Sequence, residues 1–154
     1  MRVYADRSFI ARLLIGEIAS KESIAVYREA GRPKLFLLPL HELEVTNSIC
    51  HQSFRRKSTA ALSDRKSIAR DRDAALSKFR LYVTRGIFTR VSLDAEAAHQ
   101  IAMELALNHT ERLGTRTLDL LHVANAIALK SELFLTADQR QGDLARAAGL
   151  QVRV

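Results

Sequence analysis

Four acidic residues, Asp6, Glu44, Asp119 and Asp138, carry the chemistry this chain can be expected to do. Asp119 sits in the run Leu118-Asp119-Leu120-Leu121, and Glu44 lies between Leu43 and Val45. A carboxylate among apolar neighbours is costly unless it is protonated, paired or bound to a cation. No lysine or arginine lies one helical turn from Glu44 to pair with it. Carboxylates gathered at one point repel, and a hard divalent cation such as Mg2+ or Mn2+ turns that repulsion into coordination. Such a cation activates water and offsets the charge of an in-line phosphoryl displacement. Asp6 and Asp138 also read as helix caps, each standing just before a helical stretch. Glu42 is a weaker choice than Glu44, because it lacks an apolar neighbour of the same kind on both sides. His122, three positions after Asp119, and Asn47, three after Glu44, are placed as hydrogen-bond partners of the acids, although a satisfied core histidine explains His122 as well.

For these residues to meet, the chain must fold so that distant segments share an edge. Apolar periodicity alternates between strand and helix along its 154 residues. Strands are expected at Val3 to Ala5, Leu35 to Leu38, Ile87 to Val91, Leu133 to Thr136 and Leu150 to Val154. Helices are expected after Asp6, over Ile24 to Ala30, from His41 to about Phe54, from Asp94 to near Gly114, from Thr115 or Thr117 to about Lys130, and from Gln139 to Ala148. The stretch between, with Leu62, Ile68, Leu76 and Phe79, reads as one long helix or two shorter ones. Apolar strands separated by helices predict a parallel sheet covered on both faces, a three-layer α/β/α arrangement in a single domain over residues 1–154. In such sheets the ligand site lies beyond the carboxyl ends of the strands. Asp6 and Asp138 follow strands there, Glu44 lies in the helix after the second strand, and Asp119 lies in the first turn of the helix before the fourth.

Charge adds a partner. The chain carries a net +7, but between His51 and Arg90 eleven Lys and Arg stand against three acids, a local +8 that leaves the rest almost neutral. A basic segment beside neutral flanks predicts a polyanionic partner, and a basic surface with an acidic metal site points to a nuclease. Other chemistries find little support. Cys50 is the one cysteine, the five histidines show no HExxH spacing, and Ser8 has no glycine-flanked elbow. The N-terminus lacks the apolar stretch of a signal peptide, and the longest wholly apolar run, Leu35 to Leu38 with Leu40 beyond Pro39, is too short for a bilayer. A cytoplasmic protein without a membrane span is expected.

Four blocks together resemble a known family: Val3-Tyr4-Ala5-Asp6-Arg7-Ser8, Leu40-His41-Glu42-Leu43-Glu44-Val45-Thr46-Asn47, Leu113-Gly114-Thr115-Arg116-Thr117-Leu118-Asp119-Leu120-Leu121-His122-Val123-Ala124, and Phe134-Leu135-Thr136-Ala137-Asp138-Gln139-Arg140-Gln141. They look like the PIN domain and, more narrowly, like VapC-type toxins of type II toxin-antitoxin pairs. The third block is the most specific.

The resemblance implies a Mg2+- or Mn2+-dependent endoribonuclease that cuts structured RNA such as tRNA or rRNA. It also implies a homodimer held silent by a cognate antitoxin. By the family pattern the metal-holding and catalytic acids fall on Asp6, Glu44, Asp119 and Asp138. Ser8 falls where a small hydroxyl residue supports the first Asp, and Asn47 where a polar residue follows the Glu by one turn. Arg7 departs from the pattern, which has Thr or Ser there. Its guanidinium would compete with the cation or contact phosphate, and Arg116 is a further candidate contact to phosphate. The departure leaves one alternative: a non-catalytic RNA- or partner-binding domain on the same fold.

Overall fold

A computed structural model describes residues 1–15 and 18–154. Five short strands, β1 (Val3–Ala5), β2 (Leu35–Leu37), β3 (Phe88–Arg90), β4 (Leu133–Leu135) and β5 (Val152–Arg153), form one sheet in the order β3-β2-β1-β4-β5. Every pairing is parallel, with Val3 opposite both Leu35 and Leu133. Among the described residues seven α-helices connect the strands: α1 (Arg7–Leu14), α2 (Ile18–Glu29), α3 (Pro39–Thr59), α4 (Arg65–Thr84), α5 (Ala95–Leu113), α6 (Thr117–Ala128) and α7 (Gln139–Ala147).

Side-chain alternation along the strands builds two cores. Val3, Ala5, Leu35, Leu37, Leu133 and Leu135 face Phe9, Ile10, Val45, Ile49 and Phe79 of α1, α3 and α4. Tyr4 and Phe134, pointing the other way, pack with Leu105, Leu120, Val123 and Leu144 of α5, α6 and α7. Three layers result, because a period of two sends successive residues to opposite faces. The expected α/β/α fold is the one observed.

Boundaries differ more than elements do. The helix after β2 continues past Phe54 to Thr59, and the basic stretch divides between its end and α4, joined through a 3-10 turn at Leu62–Asp64. At the chain end only Val152 and Arg153 pair, because Phe134 and Leu135 of the short β4 offer them just two partners. Helix ends follow local chemistry. Asp94 accepts the Ala97 amide at 3.1 Å to start α5, and Gly114 closes that helix at φ +61°, a conformation that suits glycine.

Candidate active site

Asp6 follows β1 directly and starts α1, which puts its carboxylate at the carboxyl edge of the central strand. It is fully buried. Its Oδ1 accepts from the Ser8 hydroxyl at 2.7 Å and the Phe9 amide at 2.9 Å, and its Oδ2 from the Thr136 hydroxyl at 2.6 Å. Burial pushes the Asp6 carboxyl above its ordinary range, and the Thr136 hydrogen bond is the strongest force the other way. All three partners are neutral donors, so nothing among them cancels the charge. Ser8 is itself held by the Ala137 amide at 2.8 Å, and Thr136 by the Asp138 amide at 3.0 Å, which ties the end of β4 to the start of α1. Thr136 went unnoticed in the sequence, although a hydroxyl residue just past a strand and two before an acid is a recognisable signal.

Glu44 enters from the second turn of α3. It meets two cationic or polar partners, neither on its own helix. Nε2 of His122 lies 2.5 Å from Glu44 Oε2, and Nε of Arg7 lies 3.8 Å from Oε1. Arg7 is anchored in turn by donating to Ser48 Oγ at 3.0 Å. His122 thus bonds across to Glu44 and, through Nδ1, to the Tyr4 hydroxyl at 2.9 Å, rather than to Asp119 on its own helix. Glu42 pairs with Arg90 at 2.6 Å, away from these groups.

Asp119 is half-buried in the first turn of α6, where its Oδ2 accepts the Arg116 amide at 3.2 Å. It therefore acts as a helix-start residue, and no cationic side chain is bonded to it among the described residues. A cavity of about 460 Å³ brings Glu44, Asp119 and His122 together with Arg7, Asn47, Ser48, Arg116 and Gln141. Gln141 is buried there with its Nε2 lacking any partner among the described residues. Asp6 and Asp138 do not line this cavity. Asp138 caps α7, its Oδ1 accepting the Arg140 amide at 2.9 Å and the Gln141 amide at 3.4 Å. A second cavity of about 560 Å³, between α1, α3 and α4, has Asp71 as its one acid, which is tied to Arg56 at 2.8 Å.

Among the described residues, no three His, Cys, Asp or Glu side chains are gathered closely enough to hold a metal ion. The donor chemistry nevertheless suits a hard cation. All the carboxylates are oxygen donors, Asp6 is buried without a cation, and the nearest cationic group to Glu44 Oε1 stands off at 3.8 Å. No helix among the described residues is long and apolar enough to cross a membrane.

A family model described as "PIN domain" matches residues 3–148. No curated protein matches the chain.

Proposed function

The chain belongs to the PIN-domain family, whose members are generally metal-dependent nucleases acting on RNA or DNA, and from that premise we propose that it is a Mg2+- or Mn2+-dependent endoribonuclease. One observation carries the reading. Asp6, a fully buried carboxylate that only neutral donors satisfy, lies at the same strand edge as an open cavity walled by Glu44 and Asp119. An acid so buried is costly to ionise unless a cation is held beside it, which is the ground for placing the ion there.

Asp6, Glu44 and Asp119 would hold the ion, with Asp138 completing the site. When bound, such an ion supplies Lewis acidity and an activated water for in-line attack on a phosphodiester. The protein's own part is positional. Ser8 and Thr136 fix Asp6, His122 fixes Glu44, and Arg7 and Arg116 offer cationic contacts to phosphate at the cavity wall.

The finer reading is a toxin of the VapC type, working in the cytoplasm as a homodimer on tRNA or rRNA and silenced by a cognate antitoxin. It is supported by the four sequence blocks and by the basic stretch of α3 and α4. Expressing the chain with and without the product of an adjacent small gene, and mapping RNA ends, tests both activity and substrate. Growth arrest with a defined cut that the partner relieves is expected. For the metal site, Asp119→Asn should lower Mn2+-dependent cleavage by about a hundredfold or more, the several kcal/mol that metal assistance supplies. Cleavage at the wild-type rate would sink the assignment.

The pairing of Glu44 with Arg7 and His122 favours a second reading, a non-catalytic domain that binds RNA or a protein. That protein would bind RNA in a salt-sensitive way and cut none with any divalent ion.

A further inference from the structure

Tyr4, His122 and Glu44 form one hydrogen-bonded line from the middle of the sheet to the cavity. Tyr4 is on the central strand β1 and is fully buried, and His122 on α6 is nearly so. The Tyr4 hydroxyl is 2.9 Å from Nδ1 of His122, and Nε2 of the same ring is 2.5 Å from Glu44 Oε2. Asn125, also buried, hydrogen-bonds Tyr4.

The directions of these bonds follow from chemistry. An ionised carboxylate only accepts, so His122 Nε2 must carry the proton toward Glu44. In the neutral ring Nδ1 is then an acceptor, and the bond from Tyr4 must be its O–H donating. A neutral imidazole has one N–H, and which nitrogen holds it is set by the partner of the other.

We infer that Tyr4 and His122 are positioning residues for Glu44: the tyrosine hydroxyl, bonded to Nδ1, keeps the imidazole turned so that Nε2 faces the carboxylate, and the histidine holds Glu44 Oε2 so that Oε1 is left for the cation. This rests on reading Glu44 as a metal ligand. Partners that orient a ligating group in this way commonly change metal affinity 10- to 100-fold when removed.

The test uses the full chain with Mn2+ as probe, measured by titration calorimetry, and the 15N shifts of the imidazole ring. His122→Leu is expected to weaken Mn2+ binding by roughly tenfold or more, and His122→Gln, whose amide still donates to Glu44, by no more than about threefold. Tyr4→Phe keeps the ring stack with Phe134 and removes only the hydroxyl; the His122 Nδ1 shift should move as its bond is lost, with Mn2+ binding weakened by about threefold or more. If Glu44→Gln binds Mn2+ as the wild type does, the reading of Glu44 as a ligand fails. If Glu44→Gln loses the ion while His122→Leu and Tyr4→Phe keep it, that reading stands and the positioning role is overturned. Should His122→Leu fail to fold, unchanged Mn2+ binding in Tyr4→Phe overturns the proposal by itself.

Discussion

Arg7 places its Nε 3.8 Å from Oε1 of Glu44, the oxygen that His122 leaves free, and holds that position by donating to Ser48. A guanidinium at this spot is a resident counter-charge. It lowers the cost of a carboxylate in the cavity wall and competes with any cation that needs the same oxygen. The pair is half-exposed on the arginine side, so its worth is that of a surface ion pair, about 0.2–1 kcal/mol. Arg7→Thr should therefore tighten Mn2+ binding about twofold to fivefold, read by calorimetry. Weaker binding in the variant would show that Arg7 supports the site instead of competing with it.

Asp138 carries two roles that can be separated. As the cap of α7 it accepts two backbone amides, and an asparagine oxygen can do the same. Asp138→Ala should lose about 1 kcal/mol of stability in a urea melt, while Asp138→Asn should stay close to wild type. If the carboxylate also completes the metal site, Asp138→Asn will lower Mn2+-dependent cleavage with the fold intact. Full cleavage in that variant would reduce Asp138 to a cap.

The fold was legible because apolar runs at strand length alternate with helical spacing, and because Asp94 and Gly114 mark helix ends in the usual way. Topology also places the acids: Asp6 and Asp138 follow strands within three residues, Glu44 lies two turns past the end of β2, and Asp119 opens the helix that leads back to the start of β4. Their partners were harder to see. His122 is three residues from Asp119, which suggests a contact along the helix, yet its ring reaches across to Glu44 and Tyr4, 78 and 118 residues away. Thr136 reaches Asp6 over 130 residues. Spacing reports neighbours on one helix; it carries no information on which side chain another element delivers.

The basic stretch makes a prediction independent of the acids. At the far end of α3 and the start of α4, Arg56 is tied to Asp71 and Arg72 to Asp73, while Arg55, Arg65 and Lys66 are exposed and in no ion pair among the described residues. If RNA lies on this surface, replacing those three with alanine should weaken binding to a labelled single-stranded RNA at low salt. The slope of log K against log salt should shrink by about 2, since each phosphate contact on a single strand contributes about 0.7. An unchanged slope, measured by fluorescence anisotropy, would move the RNA path elsewhere.

Asp6 sets stability against function. Its carboxyl titrates above the ordinary range because burial penalises the charge. The folded chain then binds a proton that the unfolded chain has already released, so stability falls as pH rises from about 4 through the folded value, and stays lower above it. Asp6→Asn keeps the acceptor for Ser8 and Phe9, and the Thr136 hydroxyl can turn to accept from the new amide. The variant should melt higher than wild type at pH 7, by about 2–4 °C for each 1 kcal/mol released in a chain of this size. The gap should close as pH drops toward 4, where the wild-type carboxyl is protonated as well. Mn2+ should raise the melting temperature of the wild type and leave the variant unmoved, because the ion binds only where the charge remains. A variant that melts lower at pH 7 and still responds to Mn2+ would mean that Asp6 is a structural cap and that the ion is held without it.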